Sequence, residues 1–221
     1  MQGGRPRLKV CCIASRAEAA LAIGQGADAL GLVGAMPSGP GPIADDRIAD
    51  IVAAVPPPIA TFLLSSRQEA EGLAEHVRIT GANTLQIVDH LDPSQYPRLR
   101  RLLPTTRLVQ VIHVQGAEAV ALATDYARLA DALLLDSGRP GAPFAELGGT
   151  GRVHDWRISR DIVARVEKPV FLAGGLNPGN VAEAVATVRP FGVDLCSGLR
   201  SEGRLDPAKL AAFTAALWPG R

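Results

Sequence analysis

Short apolar runs rich in valine, isoleucine and leucine return eight times along this chain, and a longer stretch with helical spacing follows each one. The strand candidates are 8–13, 29–33, 59–64, 84–88, 108–114, 132–135, 170–173 and 192–196; the helical patterns are 15–24, 45–55, 66–80, 93–103, 118–130, 159–166, 178–188 and 207–217. The runs are continuous rather than alternating, which indicates strands covered on both faces and hence parallel connections. Strand–helix units repeating at a mean period of roughly 28 residues predict an α/β fold, a single-domain closed (β/α)8 TIM barrel near the short end of its size range. An open doubly wound sheet is the runner-up. It is less favoured because no Gly-x-Gly-x-x-Gly follows the first run and because open sheets usually have fewer strands. The barrel takes the whole chain, 1–221, with 1–7 expected as a loose tail and 37–42 (Pro-Ser-Gly-Pro-Gly-Pro) as a non-helical loop after the second strand. Ser15, Ser66 and Asn177 stand where N-caps belong, and Asn177 precedes a proline at the first helical position.

With 221 residues, 47% of them hydrophobic, the chain can bury a sizeable core. The formal charge of +1 and the lack of long charged runs give no reason to expect nucleic acid or a membrane surface, so a small molecule is the favoured partner. No stretch reads as a signal peptide or a membrane span, and a cytoplasmic protein is expected. The three cysteines offer no disulfide framework. Cys11 and Cys12 are adjacent, so on a strand they face opposite ways and cannot share a metal, and zinc is not expected.

In such a barrel, function belongs at the C-terminal ends of the strands. The polar or reactive residues there are Cys11, Gln86 with Asp89, His113, Asp136, Gly174-Gly175, and Asp194 with Ser197-Gly198. Asp136 closes the run Leu133-Leu134-Leu135, where an acid is costly unless paired or functional. Cys11 alone would more often be inert core. The glycine pairs suit a phosphate, because glycine lets backbone N–H groups approach an anion. Gly174-Gly175 and Ser197-Gly198 would supply the two halves of such a site after strands seven and eight. His90 and His154 read as solvated loop residues, and His113 as easily as a packed barrel histidine.

The chain resembles the phosphoribosylanthranilate isomerases, the (βα)8 enzymes of tryptophan biosynthesis, over almost its full length. The resemblance rests on Lys9-Val10-Cys11, 26–31 (Gly-Ala-Asp-Ala-Leu-Gly), Leu133 to Ser137, Gly148-Gly149-Thr150-Gly151 with Asp155-Trp156, 172–181 and 192–198. It implies an Amadori rearrangement of N-(5'-phosphoribosyl)anthranilate with Cys11 as general base and Asp136 as general acid. It further implies substrate or phosphate contacts at Gln86, Gly149, Gly174, Gly175, Asp194, Ser197 and Gly198, with Asp194 near the anthranilate, and no cofactor or metal. For that chemistry Asp136 should be protonated and Cys11 deprotonated, which a nearby positive charge would favour.

Departures from the family pattern cluster on substrate recognition. The usual Ser-Pro-Arg-Tyr after strand two reads Ser38-Gly39-Pro40-Gly41, so the arginine that meets the anthranilate carboxylate has no counterpart. Cys-Gly has become Cys11-Cys12, and the histidine of Gln-Leu-His-Gly is missing from Gln86-Ile87-Val88-Asp89 unless His90 substitutes. The first of the paired serines after strand eight is Cys196, and an acidic position nearby is Arg200. Three readings stay open: an isomerase in which Arg16, Arg139 or Arg200 meets the carboxylate; a paralogue that isomerises or binds another phosphorylated sugar; and a non-catalytic phosphate-binding barrel. A monomer and a homodimer are equally open.

Overall fold

A computed structural model describes residues 4–138 and 154–220. Eight parallel strands close in sequential order into one barrel: β1 (Arg7–Val10), β2 (Ala29–Val33), β3 (Ala60–Ser65), β4 (Thr84–Ile87), β5 (Arg107–His113), β6 (Ala132–Asp136), β7 (Val170–Leu172) and β8 (Gly192–Leu195). Closure is made by β8 on β1, where Val10 stands beside Leu195. The open doubly wound alternative is thereby removed. Around the barrel lie α1 (Arg16–Gly24), α2 (Asp45–Ala54), α3 (Ala70–Thr80), α4 (Tyr96–Leu102), α5 (Glu118–Tyr126), α6 (Trp156–Arg165), α7 (Val181–Val188) and α8 (Pro207–Leu217). A small hairpin, β9 (Arg200–Ser201) with β10 (Arg204–Leu205), follows β8.

Side-chain parity divides the core. Even-spaced residues such as Ala132 and Leu134 of β6, or Phe62 and Leu64 of β3, fill the barrel, while Leu133, Leu135 and Leu63 pack outward under the helices. The same parity carries Lys9, Cys11, Gln86, His113, Asp136 and Asp194 into the interior.

At the bottom of the barrel one device recurs. Asp28, Asn83 and Asp131 each immediately precede an even-numbered strand, and each side chain accepts the backbone N–H of the strand before it: Leu8 at 2.9 Å, Thr61 at 3.0 Å and Leu108 at 2.8 Å. Arg5 and Arg7 also pair with Asp28, and the Trp218 indole N–H donates to the Pro6 carbonyl, so the segment expected as a loose tail through residue 7 is fastened from Arg5 onward.

Ser15 caps α1 as expected, accepting from the Glu18 amide. The other two expected caps are corrected. Ser66 donates to the Ala35 carbonyl instead, and α3 starts at Ala70, whose amide is met by the Gln95 side chain. Asn177 and Asn180 form a local turn by exchanging side-chain and backbone hydrogen bonds, which delays α7 to Val181. Both misreadings have one cause: a short polar side chain can stabilise a turn as readily as a helix start.

The cysteine expectation also needs correction, because Cys12 and Cys196 are disulfide-bonded with Cα atoms 5.9 Å apart, leaving Cys11 free. Cys12 lies two residues past the end of β1 with a φ of 62°, and that turn aims its thiol across the β1–β8 seam rather than along a regular strand. Among the described residues no helix is long and apolar enough to cross a membrane.

Candidate active site

The strand ends converge on an open cleft at the C-terminal mouth of the barrel. Cys11, Gln86, Asp136, Gly174, Gly175, Asp194, Ser197 and Gly198 all line it. Gly149 lies outside the described residues, and among these no cluster of histidine, cysteine or acidic side chains could hold a metal.

Below this mouth sits a charge pair that sequence reasoning passed over. Lys9 is completely buried and its Nζ lies 2.8 Å from Asp194 Oδ1. Burial opposes the ammonium charge, but the Asp194 carboxylate and the Cys11 thiol outweigh it and raise the lysine's pKa. The available signal was parity, since Lys9 and Cys11 are two residues apart on one strand and share a face. Gly31 on β2 gives both of them room: a Cβ there would stand 2.7 Å from Cys11 Sγ and 3.1 Å from Lys9 Nζ.

The two titratable groups singled out from sequence meet different fates. Burial raises the pKa of Asp136, reinforced by Asp194 and opposed by the Ser137 amide, His113 and Lys9. That favours the protonated acid the chemistry asks for. Burial also pushes the Cys11 thiol up to about 11, against the pull of Lys9, so the resting residue is a thiol rather than the expected thiolate. The expected neighbouring cation is present, and desolvation outweighs it.

His113 stands beside Asp136 in the β5–β6 register. Its Nε2 lies 3.0 Å from the Val88 carbonyl, which can only accept, so that nitrogen carries a proton. Asp89 sits outside the cavity, accepting from Gln68, and His90 is turned away to Tyr126 at 2.8 Å, so His90 does not replace the missing histidine at the mouth. His154 is not a solvated loop residue: it contacts Ser159 Oγ at 2.6 Å.

The two glycine turns form the far rim. Gly174 and Gly175 have φ values of 86° and 63°, conformations that a Cβ would strain, and the Gly175 carbonyl is held by the side-chain amides of Asn177 and Asn180. Neither glycine amide donates to a backbone carbonyl among the described residues. Gly198 is pressed against Leu176, whose carbonyl would be 2.7 Å from an added Cβ, so close packing of the two turns requires glycine there.

No arginine or lysine is among the described residues lining the cavity. Arg16 is paired with Asp50 in the open, and Arg200 is locked under the β1 end, bonded to Glu18 and to the Cys11 and Cys12 carbonyls. Of the three candidate cations, two are thus committed elsewhere, and Arg139 lies outside the described residues. Where the family commonly has a carboxylate, Arg200 serves as a brace between Glu18 and the first strand.

The chain's relatives agree with this architecture. The model of the N-(5'-phosphoribosyl)anthranilate isomerase family matches residues 8–216. The Haloferax volcanii N-(5'-phosphoribosyl)anthranilate isomerase is 37% identical over 212 residues, covering 95% of this chain and 92% of that protein. A Methanosarcina mazei homologue of the same name is 36% identical over 94% of this chain and 92% of its own length. Among solved structures, the phosphoribosyl anthranilate isomerase of Thermus thermophilus superposes with a TM-score of 0.81 at 28% identity, covering 96% of this chain and 98% of that one. The Thermococcus kodakaraensis enzyme gives 0.80 at 28% identity, covering 97% and 100%. Matched along nearly its whole length, this chain belongs to the N-(5'-phosphoribosyl)anthranilate isomerase family.

Proposed function

We propose that this barrel converts N-(5'-phosphoribosyl)anthranilate to the corresponding 1-deoxyribulose 5-phosphate, with Asp136 as general acid and Cys11 as general base. The observation that carries this reading is that both groups line the same cavity as the glycine turns at Gly174-Gly175 and Ser197-Gly198. Asp136 gives its proton to the furanose ring oxygen; the C1–O bond breaks as the anthranilate nitrogen lone pair forms an iminium. That cation acidifies the adjacent C2–H. Cys11 removes this proton, the C–H electrons form C1=C2, and the C=N pair returns to nitrogen, leaving an enolamine that tautomerises to the ketose.

The elevated thiol pKa shapes the timing. Before ring opening Cys11 is largely protonated, since burial outweighs the pull of Lys9. The iminium adds a second positive charge against the sulfur, so the thiol releases its own proton to solvent through the open mouth, and the thiolate that takes the C2 proton forms once the substrate has been activated. The glycine turns hold the phosphate, Gln86 reads a sugar hydroxyl through its buried Oε1, which has no hydrogen-bond partner among the described residues, and Asp194 faces the anthranilate end. A biosynthetic role on a phosphorylated intermediate, without a cofactor, fits a cytoplasmic enzyme.

The absence of a cation among the described lining residues favours a second reading, in which the ligand is a phosphorylated aminosugar without the aromatic carboxylate. Growth separates the two. In cells lacking the isomerase, the unaltered chain should restore growth without tryptophan, and Cys11→Ala and Asp136→Asn should not. Failure of the unaltered chain, expressed and folded, would favour the second reading; growth with both variants would remove the assigned roles.

A further inference from the structure

The Cys12–Cys196 bond ties the end of the strand that carries Cys11 to the residue that precedes Ser197-Gly198. Both cysteines line the mouth, and Cys196 is partly open to solvent, so a small thiol can reach the bond. Cys12 holds a φ of 62°, a conformation in which a side chain is ordinarily a liability, and Gly41 is packed so tightly on it that an added Cβ would lie 2.6 Å from Cys12 Cβ. Arg200, bonded to the Cys11 and Cys12 carbonyls, fixes the same corner from below. Glycine and serine would be the undemanding residues at positions 12 and 196; this chain has a cysteine at each, and the two meet.

We propose that Cys12 and Cys196 are a reversible dithiol–disulfide pair that tunes affinity for the phosphorylated ligand. The proposal rests on the reading that the Ser197-Gly198 turn grips phosphate. Closure is thiol–disulfide exchange with a small-molecule disulfide of the glutathione class: the two protein thiols lose two protons and two electrons, the protein S–S bond forms, and the small disulfide leaves as two thiols. The bond holds the turn in place, so the closed form binds an anion without first ordering it, and the open form must order it on binding.

The test uses the full chain equilibrated in reduced and in oxidised glutathione. Denaturing alkylation followed by intact mass should count three modified cysteines in the first state and one in the second, there being three in the sequence. Titration with inorganic phosphate should give a Kd about three- to tenfold weaker for the reduced form, and Cys196→Ser should give the same Kd in both buffers. An unchanged alkylation count would overturn the pair. A phosphate affinity independent of redox state would overturn the tuning, and so would a response surviving in Cys196→Ser, which would place it on Cys11 or on Cys12 alone. Phosphate binding in neither state, with the count still switching, would overturn the tuning by removing the phosphate reading beneath it.

Discussion

The two ends of this barrel treat buried polar groups in opposite ways. At the strand entrances Asp28, Asn83 and Asp131 are each matched to a backbone N–H, and Asp28 and Asp131 add arginine partners. At the exits, Gln86 Oε1 and His113 Nδ1 are buried with no hydrogen-bond partner among the described residues, and burial raises the pKa of Asp136. A polar group left unmatched costs stability, so a protein retains it where a ligand or a reaction will use it. The entrance holds the fold together; the exit holds potential for chemistry. Lys9 and Asp194 belong to both, since they are paired with each other yet polarise the groups above them.

That dual character gives the sharpest way to break the contrast. Lys9→Met leaves the Asp194 carboxylate buried without a counter-charge, and should cost about 3–5 kcal/mol by denaturant unfolding. Lys9→Met with Asp194→Leu should recover most of that stability. It should not recover turnover, because Cys11 would have lost the cation that draws its thiol pKa down and the cavity would have lost the Asp194 carboxylate. Full recovery of activity by the double variant would make the pair purely structural.

At the entrance the pattern should reverse. Asp131→Ala leaves the Leu108 amide unmatched and takes the carboxylate from Arg100, which keeps the Leu129 carbonyl, and should lower stability by about 1–3 kcal/mol, read as a shift in unfolding midpoint. Its kcat/KM, measured where the variant remains folded, should match the parent's. A selective loss of turnover would show that the entrance reaches the chemistry.

The smallest effect concerns pH. Burial holds His154 down to about 4, so the folded protein keeps it neutral while the unfolded chain takes up a proton near 6.5. This contribution is whole above 6.5 and is lost as pH falls toward 4; His76, lowered chiefly by burial, acts in the same direction. Because His154 is partly solvent-accessible, the decline between pH 6.5 and 5 should be no more than about 2 kcal/mol. Unfolding free energies of the parent and His154→Gln across this range check it, and the variant should show the shallower slope.

Much of this was legible in the chain, and the reasons differ by region. Eight runs such as Ala132–Asp136 announce themselves because a parallel strand is apolar on both faces, and Asp136 is conspicuous at the end of one. The convergence of Cys11, Gln86, Asp194 and the glycine turns followed from the rule that barrel function sits at strand exits. What escaped was three-dimensional. The Cys12–Cys196 bond depends on a left-handed backbone step at Cys12, and nothing local marks a non-glycine residue as bound to take it. Arg200 was a candidate to greet substrate because a charge in a loop is normally free; the Glu18 carboxylate that binds it is 182 residues away. The resting protonation of Cys11 turns on how completely it is buried, which no spacing rule conveys.

The contrast between the two ends is tested most directly by measuring turnover and stability together in Asp136→Asn and Cys11→Ala. The contrast predicts that kcat/KM for N-(5'-phosphoribosyl)anthranilate falls by about a thousandfold or more in each, while the unfolding midpoint stays close to the parent's, since asparagine can still accept from the Ser137 amide and alanine leaves the Lys9–Asp194 pair in place. Turnover within tenfold of the parent's, or a loss of stability large enough to account for the missing activity, would contradict it.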